Sequence, residues 1–267
     1  MYNLKAVGNQ RWKLGAIAGS LVIFFGVSYF LRQMITMTDH GIVTFGYAAA
    51  RLILAVVLGL IMAYFFKTVR ITSPGSIGYQ RPIRIWLALI LFFFISILSL
   101  KLHVIFSMGL TPVQLFNIAL IALSAGIFEE TLCRGLLFSF FLGIFQSKNQ
   151  SLLWTATASS LVFGLLHLSH LFNGQSVQTT LQQVFYAFVI GMAFSAIRIS
   201  TNGIWVGLVI HSLIDFDPTI TAQMQGDGSW AADLIIFTPL LIIALLYLVK
   251  VNTLINHHRG IGLNSVL

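Results

Sequence analysis

Long apolar runs that carry almost no charge, separated by short loops, constrain this 267-residue chain more than any other feature. A membrane-spanning helix needs about 20 mainly apolar residues, because backbone groups in hydrocarbon must be hydrogen-bonded within the helix itself. Stretches of this kind lie near residues 14–31, 48–66, 85–100, 113–145, 152–172, 181–197, 204–216 and 234–249. The sequence therefore predicts an all-α fold, a polytopic transmembrane helical bundle of about eight spans that forms a single membrane-embedded domain over residues 1–267.

The composition agrees with a membrane environment. Hydrophobic residues make up 58% of the chain and charged residues only 8%, whereas a soluble domain carries about a quarter charged residues. The net charge of +8 comes from residues beside the apolar runs rather than on one soluble face, so we expect anionic membrane lipids as partners and no nucleic acid. The single cysteine, Cys133, excludes an intramolecular disulfide framework, and folding must rest on helix packing.

The positive charges separate onto one side of the predicted spans, and this indicates the orientation, since short cytoplasmic loops are enriched in Lys and Arg. We expect an integral membrane protein with both termini in the cytoplasm, a retained N-terminal anchor and a polar cytoplasmic loop at 68–84. The residues on the basic side are Lys5, Arg11, Lys13, Lys67, Arg70, Arg81, Arg84, Lys148, Arg198, Lys250 and Arg259. The acidic residues Asp39, Asp217, Asp227 and Asp233 all fall on the other side.

The fourth predicted span contains Glu129, Glu130 and Arg134. Charged groups at membrane depth are costly and usually face the interior of a bundle or a wet cavity, so they mark a functional site by default. Glu130 and Arg134 are four residues apart and can pair on one helical face, whereas Glu129 points about 100° away around the helix. This geometry predicts that Glu130 and Arg134 compensate one another and that Glu129 is free to accept a proton.

Two further spans carry polar pairs. Phe163 and His167 lie in the fifth span, with His170 one turn later, and His211 and Asp215 lie in the seventh. Each pair is spaced to share one helical face, and a helical bundle can bring facing side chains from separate helices together. The sequence therefore predicts that these residues and the acidic cluster of the fourth span converge on one pocket.

Carboxylates, imidazoles and a guanidinium held away from bulk water are sufficient for hydrolysis of an acyl bond. Burial and a like-charged neighbour make a carboxylate basic enough to deprotonate water near neutrality. Histidine can orient that water or protonate the leaving amine, and the remaining polar groups can donate to the developing oxyanion.

Other interpretations of the same residues stay open. His167, His211 and a carboxylate could ligate zinc, although the His-x-x-x-His spacing of helical zinc sites is absent. A proton-coupled transporter would also place Glu, His and Asp inside the membrane, and a non-catalytic immunity or scaffolding membrane protein would use the same site for binding. A Cys133 nucleophile is disfavoured, because the apolar span assures this thiol of no base, and a small packing residue is the better interpretation.

Together the three patterns resemble the CAAX protease and bacteriocin-processing family, also called the Abi family, of intramembrane proteases. The resemblance covers about 113–216, which is the motif-bearing core of the chain. Glu129, Glu130 and Arg134 match the Glu-Glu-x-x-x-Arg motif, Phe163 and His167 match Phe-x-x-x-His, and His211 and Asp215 match His-x-x-x-Asn/Asp.

The resemblance implies an intramembrane endopeptidase that hydrolyses a peptide bond at the membrane with glutamate-activated water. It implies that Glu129 activates the water, that His167 assists, and that His211 and Asp215 form the oxyanion pocket. The residues that it implies as supports of the site are Glu130, Arg134 and Phe163. The substrate would be a peptide or a lipidated protein. The compact form with short loops is more similar to the bacterial branch, which is linked to bacteriocin processing or self-immunity, so we expect a bacterial cell membrane.

Asp215 departs from many members of that family, which have an amide at this position. An ionised carboxylate would repel an oxyanion. Asp215 must therefore be protonated, orient His211 or serve a metal.

Overall fold

The computed structural model describes residues 3–4, 10–34, 44–67, 72–73, 81–218 and 228–264, and nearly all of these are helical. The helices are α1 (Gln10–Met34), α2 (Phe45–Phe66), α3 (Arg81–Ser107), α4 (Pro112–Glu130), α5 (Phe138–Phe145), α6 (Ser151–Leu166), α7 (Val177–Thr201), α8 (Trp205–Ile214) and α9 (Trp230–Asn264). A π-helical turn, Thr131–Leu137, joins α4 to α5, and a 3₁₀ segment, His167–Asn173, extends α6. The two-residue strands β1 (Asn3–Leu4) and β2 (Thr72–Ser73) pair in antiparallel fashion. The predicted all-α transmembrane bundle is confirmed.

Within the described residues, seven helical segments are long and apolar enough to cross a membrane, and Pro112–Phe145 counts as one of them. The predicted span at 204–216 is the ten-residue helix α8. A helix of this length extends about 15 Å, roughly half of the hydrocarbon thickness. Helix α8 therefore forms only part of a membrane pass.

Contacts between helix ends define the direction of the passes around α8. Gln178, at the start of α7, donates to the carbonyl oxygen of Gly228 just before α9, over 3.2 Å. Asn252, far along α9, accepts from the backbone N–H of Leu152 at the start of α6, over 2.9 Å. Helices α7 and α9 therefore run in the same direction, and the short helix α8 lies between them in the chain. Within the described residues the bundle thus contains seven segments of spanning length and the shorter apolar helix α8, close to the predicted number of about eight spans.

Local sequence explains where the helices that position the site begin and end. Thr111 caps α4, and Pro112 occupies the first helical position. The Thr111 hydroxyl oxygen accepts from the backbone N–H of Gln114, and the Gln114 side chain accepts from the backbone N–H of Thr111, which forms a capping box. Ser176 caps α7 in a similar way by accepting from the N–H of Thr179. Asn202 ends α7 in the left-handed conformation, at φ 51°, which Asn tolerates better than most residues. The chain turns there and enters α8 three residues later.

Small residues let the central helices approach closely, as is usual for packing in membranes. A Cβ atom on Gly126 of α4 would lie 2.2 Å from Ser212 Oγ and 3.1 Å from the carbonyl oxygen of Leu208, both on α8. A Cβ atom on Gly164 of α6 would lie 2.8 Å from the carbonyl oxygen of Val184 on α7. These glycines bring the backbones of α4 and α8, and of α6 and α7, into contact at the level of the predicted site residues.

Part of the predicted topology falls outside the described residues. This applies to Lys5, Arg70, Asp39 and Asp227, and to most of the predicted loop at 68–84. The orientation of the bundle relative to the cytoplasm stays a prediction.

Candidate active site

Glu130 is the centre of a buried charge network that joins α4, the π-helical turn and α8. Its Oε1 atom lies 3.0 Å from Arg134 Nη1 and 2.8 Å from His211 Nδ1. The side chains of Glu130 and Arg134 are each only 1% exposed. Burying one charge without its partner would be costly, so the two residues depend on one another. The pairing of Glu130 with Arg134 predicted from their spacing is present in the structure.

The guanidinium of Arg134 lies between two aromatic rings. Its Cζ atom is 4.3 Å from the ring centroid of Phe163 and 5.2 Å from that of Phe194. A cation over an aromatic face is attracted by the electron density of the ring, and more strongly when the pair is desolvated. Phe163 from α6 and Phe194 from α7 therefore fix the direction of the guanidinium and, through it, of the Glu130 carboxylate.

Two further carboxylates approach the other nitrogen of the His211 imidazole. Glu129 Oε2 lies 3.6 Å and Asp215 Oδ2 lies 3.5 Å from His211 Nε2. The side chains of Glu129 and Asp215 are 25% and 22% exposed, whereas that of His211 is 6% exposed. The Nδ1 edge of the imidazole is therefore buried against Glu130, and its Nε2 edge lies beside the partly exposed carboxylates of Glu129 and Asp215.

His167 lies on the other side of Phe163 from this imidazole network. The Phe163 ring contacts His167 edge-on at a centroid distance of 5.0 Å and His211 at 5.7 Å. Nδ1 of His167 donates to the backbone carbonyl oxygen of Phe163 over 2.9 Å, because a carbonyl oxygen can only accept. This bond leaves Nε2 of the neutral ring as an acceptor. His170 follows, with its ring 5.6 Å from that of His167.

The short helix α8 is held against α4 at both ends of the His211 turn. At Gly207, a Cβ atom would lie 3.1 Å from Glu130 Oε2, so the absence of a side chain there leaves room for the carboxylate. At the other end, Lys101 of α3 donates to the carbonyl oxygen of Ile214 and forms an ion pair of 3.0 Å with Asp217. A cation at the C-terminus of a helix satisfies unpaired carbonyl groups and favours the helix dipole. Lys101 therefore fixes the end of α8 that carries Asp215.

The described part of the chain contains no group of three or more His, Cys, Asp and Glu side chains arranged to hold a metal ion. The described residues therefore offer no ready set of ligands for the zinc site that was considered as an alternative. Cys133 is fully buried and packs in the apolar cluster that includes Phe128 and Leu136.

The structure brings most of the residues singled out from the sequence into one cluster: Glu129, Glu130, Arg134, Phe163, His211 and Asp215 are linked by the contacts above. His167 joins this cluster through the ring of Phe163. Sequence reasoning missed Phe194 and Lys101 as neighbours of the site. One Phe among 23 gave no signal, and Lys101, at the end of an apolar span, belongs to none of the three motifs.

Comparison with protein families identifies the segment that carries this cluster. Residues 111–216 match the family model described as type II CAAX prenyl endopeptidase Rce1-like. This segment is similar to the Rce1-like family of CAAX proteases. The resemblance inferred from the motifs over about 113–216 is thereby confirmed. Neither the curated proteins nor the solved structures gave a match to the chain.

The Rce1-like segment, residues 111–216, covers the helices α4 to α8 and therefore all of the clustered site residues. Four helices lie outside this segment, namely α1, α2, α3 and α9. One of them, α3, carries Lys101, which contacts the end of α8. The family supports a membrane peptidase in general, and the roles of individual residues are proposals of the next subsection.

Proposed function

We propose that the chain is an intramembrane endopeptidase that hydrolyses a peptide bond near the membrane with water activated by Glu129. The observation that carries this proposal is the contrast between the two adjacent glutamates. Glu130 is buried and bound by Arg134 and His211, whereas Glu129 is a quarter exposed and lies at the open edge of the same imidazole. Of the two carboxylates, Glu129 is the one that can reach a water molecule and a substrate.

The reaction follows from the proton states that these contacts favour. Glu129 takes a proton from water while the water oxygen bonds to the carbonyl carbon, and the carbonyl oxygen becomes an oxyanion. When the C–N bond breaks, the amine takes up the proton held by Glu129, and His167 Nε2 accepts the proton that the new carboxylic acid releases. Such a division into base and assisting groups is typical of hydrolysis without a covalent intermediate.

His211 is the proposed donor toward the oxyanion. Its Nδ1 points at the Glu130 carboxylate, and carboxylate oxygens also lie near Nε2. Since ionised carboxylates only accept hydrogen bonds, this arrangement fits a ring that donates from both nitrogens. Three roles were predicted for Asp215, and orientation of His211 is the one that fits its position. Its Oδ2 atom lies 3.5 Å from His211 Nε2.

The decisive experiment compares the native chain with Glu129→Ala and His167→Ala in lipid vesicles, using a membrane-anchored peptide as substrate. We expect no detectable cleavage with Glu129→Ala and a fall of about 10²–10⁴-fold with His167→Ala, the range typical of a lost general acid or base. Asp233→Asn, at the start of the lipid-exposed helix α9, serves as a matched carboxylate control and should cleave like the native chain. Full activity in both site variants would remove the mechanism.

The same preparation separates the remaining alternatives. A proton-coupled transporter would give pH-driven flux without a cleaved product, and an immunity or scaffolding protein would keep its cellular effect with Glu129→Ala. A chelator titration distinguishes glutamate-activated water from metal-bound water. We propose a peptide or lipidated protein of a bacterial membrane as the substrate, with a role in bacteriocin processing or self-immunity. The cellular assay of Glu129→Ala tests that role.

A further inference from the structure

The π-helical turn Thr131–Leu137 places Arg134 in the site but disturbs the hydrogen bonding of its own backbone. In an α-helix the N–H of Phe138 would bond to the carbonyl oxygen of Arg134, four residues earlier. In this chain it bonds instead to the carbonyl oxygens of Cys133 and Gly135. π-helical turns are rare and occur frequently at functional sites, and carbonyl groups displaced in this way need other partners when they are buried.

Side chains of two neighbouring helices bind the carbonyl groups of this turn. Ser159 Oγ, on α6, donates to the carbonyl oxygen of Cys133 over 2.6 Å. Arg198 Nε, near the end of α7, donates to the carbonyl oxygen of Arg134 over 3.0 Å. Ser159 is 1% exposed and Arg198 is 3% exposed. Two consecutive carbonyl groups of the turn are therefore held from outside their own helix.

We propose that Ser159 and Arg198 are positioning residues that keep this segment in its π-helical form and so place the Arg134 guanidinium against the rings of Phe163 and Phe194. The proposal rests on the proposed function, because the readout is cleavage. Neither residue belongs to the three motifs that define the site, and both act through the backbone rather than by contact with substrate.

The consequence for the site follows from the geometry of a helical turn. A π-helical turn contains one residue more than an α-helical turn, and one residue corresponds to about 100° of rotation around the helix. Return of the segment to α-helical form would therefore change the direction of Arg134 relative to the rings of Phe163 and Phe194, although its spacing from Glu130 suits either form. The guanidinium would then hold the Glu130 oxygen that is bound to His211 Nδ1 in a different position.

The burial of Arg198 also favours a positional role over a purely stabilising one. Its Nη1 atom is buried and has no hydrogen-bond partner within the described residues. A buried charge that is incompletely paired contributes little to stability, and an apolar residue of similar size often replaces it at no cost. Retention of a guanidinium at this point is better explained by the directional bond that Nε makes to Arg134.

Two adjacent serines provide a matched test of the α6 contact. Ser159 and Ser160 are each 1% exposed, but Ser160 Oγ has no hydrogen-bond partner within the described residues. We expect Ser159→Ala to lower kcat about tenfold, the effect of one lost buried hydrogen bond, with KM unchanged. Ser160→Ala should leave kcat unchanged, and Ser159→Thr, which keeps the hydroxyl, should restore most of it. Rates are compared per mole of protein that is monodisperse in detergent, so that misfolded material does not count.

Arg198 is tested by Arg198→Met and Arg198→Lys. We expect Arg198→Met to lower kcat more than Ser159→Ala without raising KM, and Arg198→Lys, which keeps a charged donor, to recover part of the loss. Equal rates for Ser159→Ala and Ser160→Ala, together with equal rates for Arg198→Met and the native chain, would overturn the proposal. If the native chain itself cleaves nothing, the proposed function fails. If the native chain cleaves, Glu129→Ala does not and the serine and arginine variants are normal, only this inference fails.

Discussion

The outer helices α1, α2 and α3 differ sharply from the central helices that carry the site. The most apolar windows of these three outer helices are 22%, 28% and 17% buried, whereas those of the Pro112–Phe145 segment and of α7 are both 67% buried. The outer helices are nevertheless the more apolar ones, with the large exposed side chains of Leu60, Phe92 and Ile95 among their residues. In this fold hydrophobicity marks contact with lipid, and polarity marks contact with protein.

The difference shows why the carboxylates Glu129 and Glu130 lie on the central segment, although the outer helices also carry the cations Arg51 and Lys101. A carboxylate or guanidinium on α3 would face hydrocarbon, where nothing would compensate its charge. On the central segment the same groups face partners on α6, α7 and α8. Variants of the two regions should therefore differ strongly in effect, and four comparisons test this difference, in order from the largest expected effect to the smallest.

The largest effect is expected for Glu130→Gln, which leaves the buried Arg134 without its counter-charge. We expect a loss of about 3–5 kcal/mol of unfolding free energy, as is typical when one partner of a buried ion pair is removed, and no detectable cleavage. Thermal unfolding in detergent and the cleavage assay measure both quantities. If Glu130→Gln unfolds and cleaves like the native chain, the buried network does not support the site.

Gly126→Ala tests the contact of α4 with α8. The added Cβ atom would lie 2.2 Å from Ser212 Oγ, so α8 must shift and carry His211 with it. We expect a destabilisation of about 1–3 kcal/mol, the usual cost of overpacking, and a lower kcat. Gly19→Ala on the outer helix α1 is the control, since nothing lies within 4 Å of its added Cβ atom. Equal behaviour of the two variants would contradict close packing of α4 on α8.

Lys101→Met should weaken the attachment of the α8 C-terminus. It removes the bond to the carbonyl oxygen of Ile214 and the ion pair with Asp217, and we expect kcat to fall about tenfold because a hydrogen bond from a charged group is lost. Lys250→Met is the matched control, because the Lys250 cation lies over the ring of Trp86, 5.9 Å from its centroid, and outside the site. The assay must give a lower rate for Lys101→Met than for this control.

The smallest effect is expected at the lipid-facing surface. Ile95→Ala removes a side chain that is 63% exposed and should change the unfolding free energy by less than about 0.5 kcal/mol. Leu132→Ala removes a fully buried side chain of the central segment and should cost about 2–5 kcal/mol. Similar losses for both variants, measured by thermal unfolding, would remove the distinction between the two regions.

The sequence predicted much of the fold because its signals are local. Apolar runs located the seven spanning segments of the described residues. The four-residue spacing of Glu130 and Arg134 predicted their ion pair, since neighbours on one helical face meet within the helix itself. The motifs also predicted which helices converge, and the family match over residues 111–216 agrees with that segment.

Other features could not be predicted because they depend on contacts between distant residues. The shortness of α8 has no local signal, since the apolar run at 204–216 continues past its last helical residue. The close packing of α8 on α4 depends on Gly126 of α4 and Gly207 of α8. The π-helical turn carries no local signature, since its carbonyl groups are bound by Ser159 and Arg198 from other helices. For the same reason Arg198 was interpreted only as a topogenic charge near the end of a span.

The single bond from His167 Nδ1 to the backbone of Phe163 has a consequence for the order of events in the site. It leaves Nε2 of His167 as a proton acceptor, whereas the carboxylates around His211 favour hydrogen-bond donation from both nitrogens of that ring. The two rings therefore have complementary hydrogen-bonding roles, one as acceptor and one as donor, before any ligand binds. In the proposed reaction, a substrate that reaches both rings would meet a polarity already set by the scaffold, and no tautomer exchange would have to precede the attack of water.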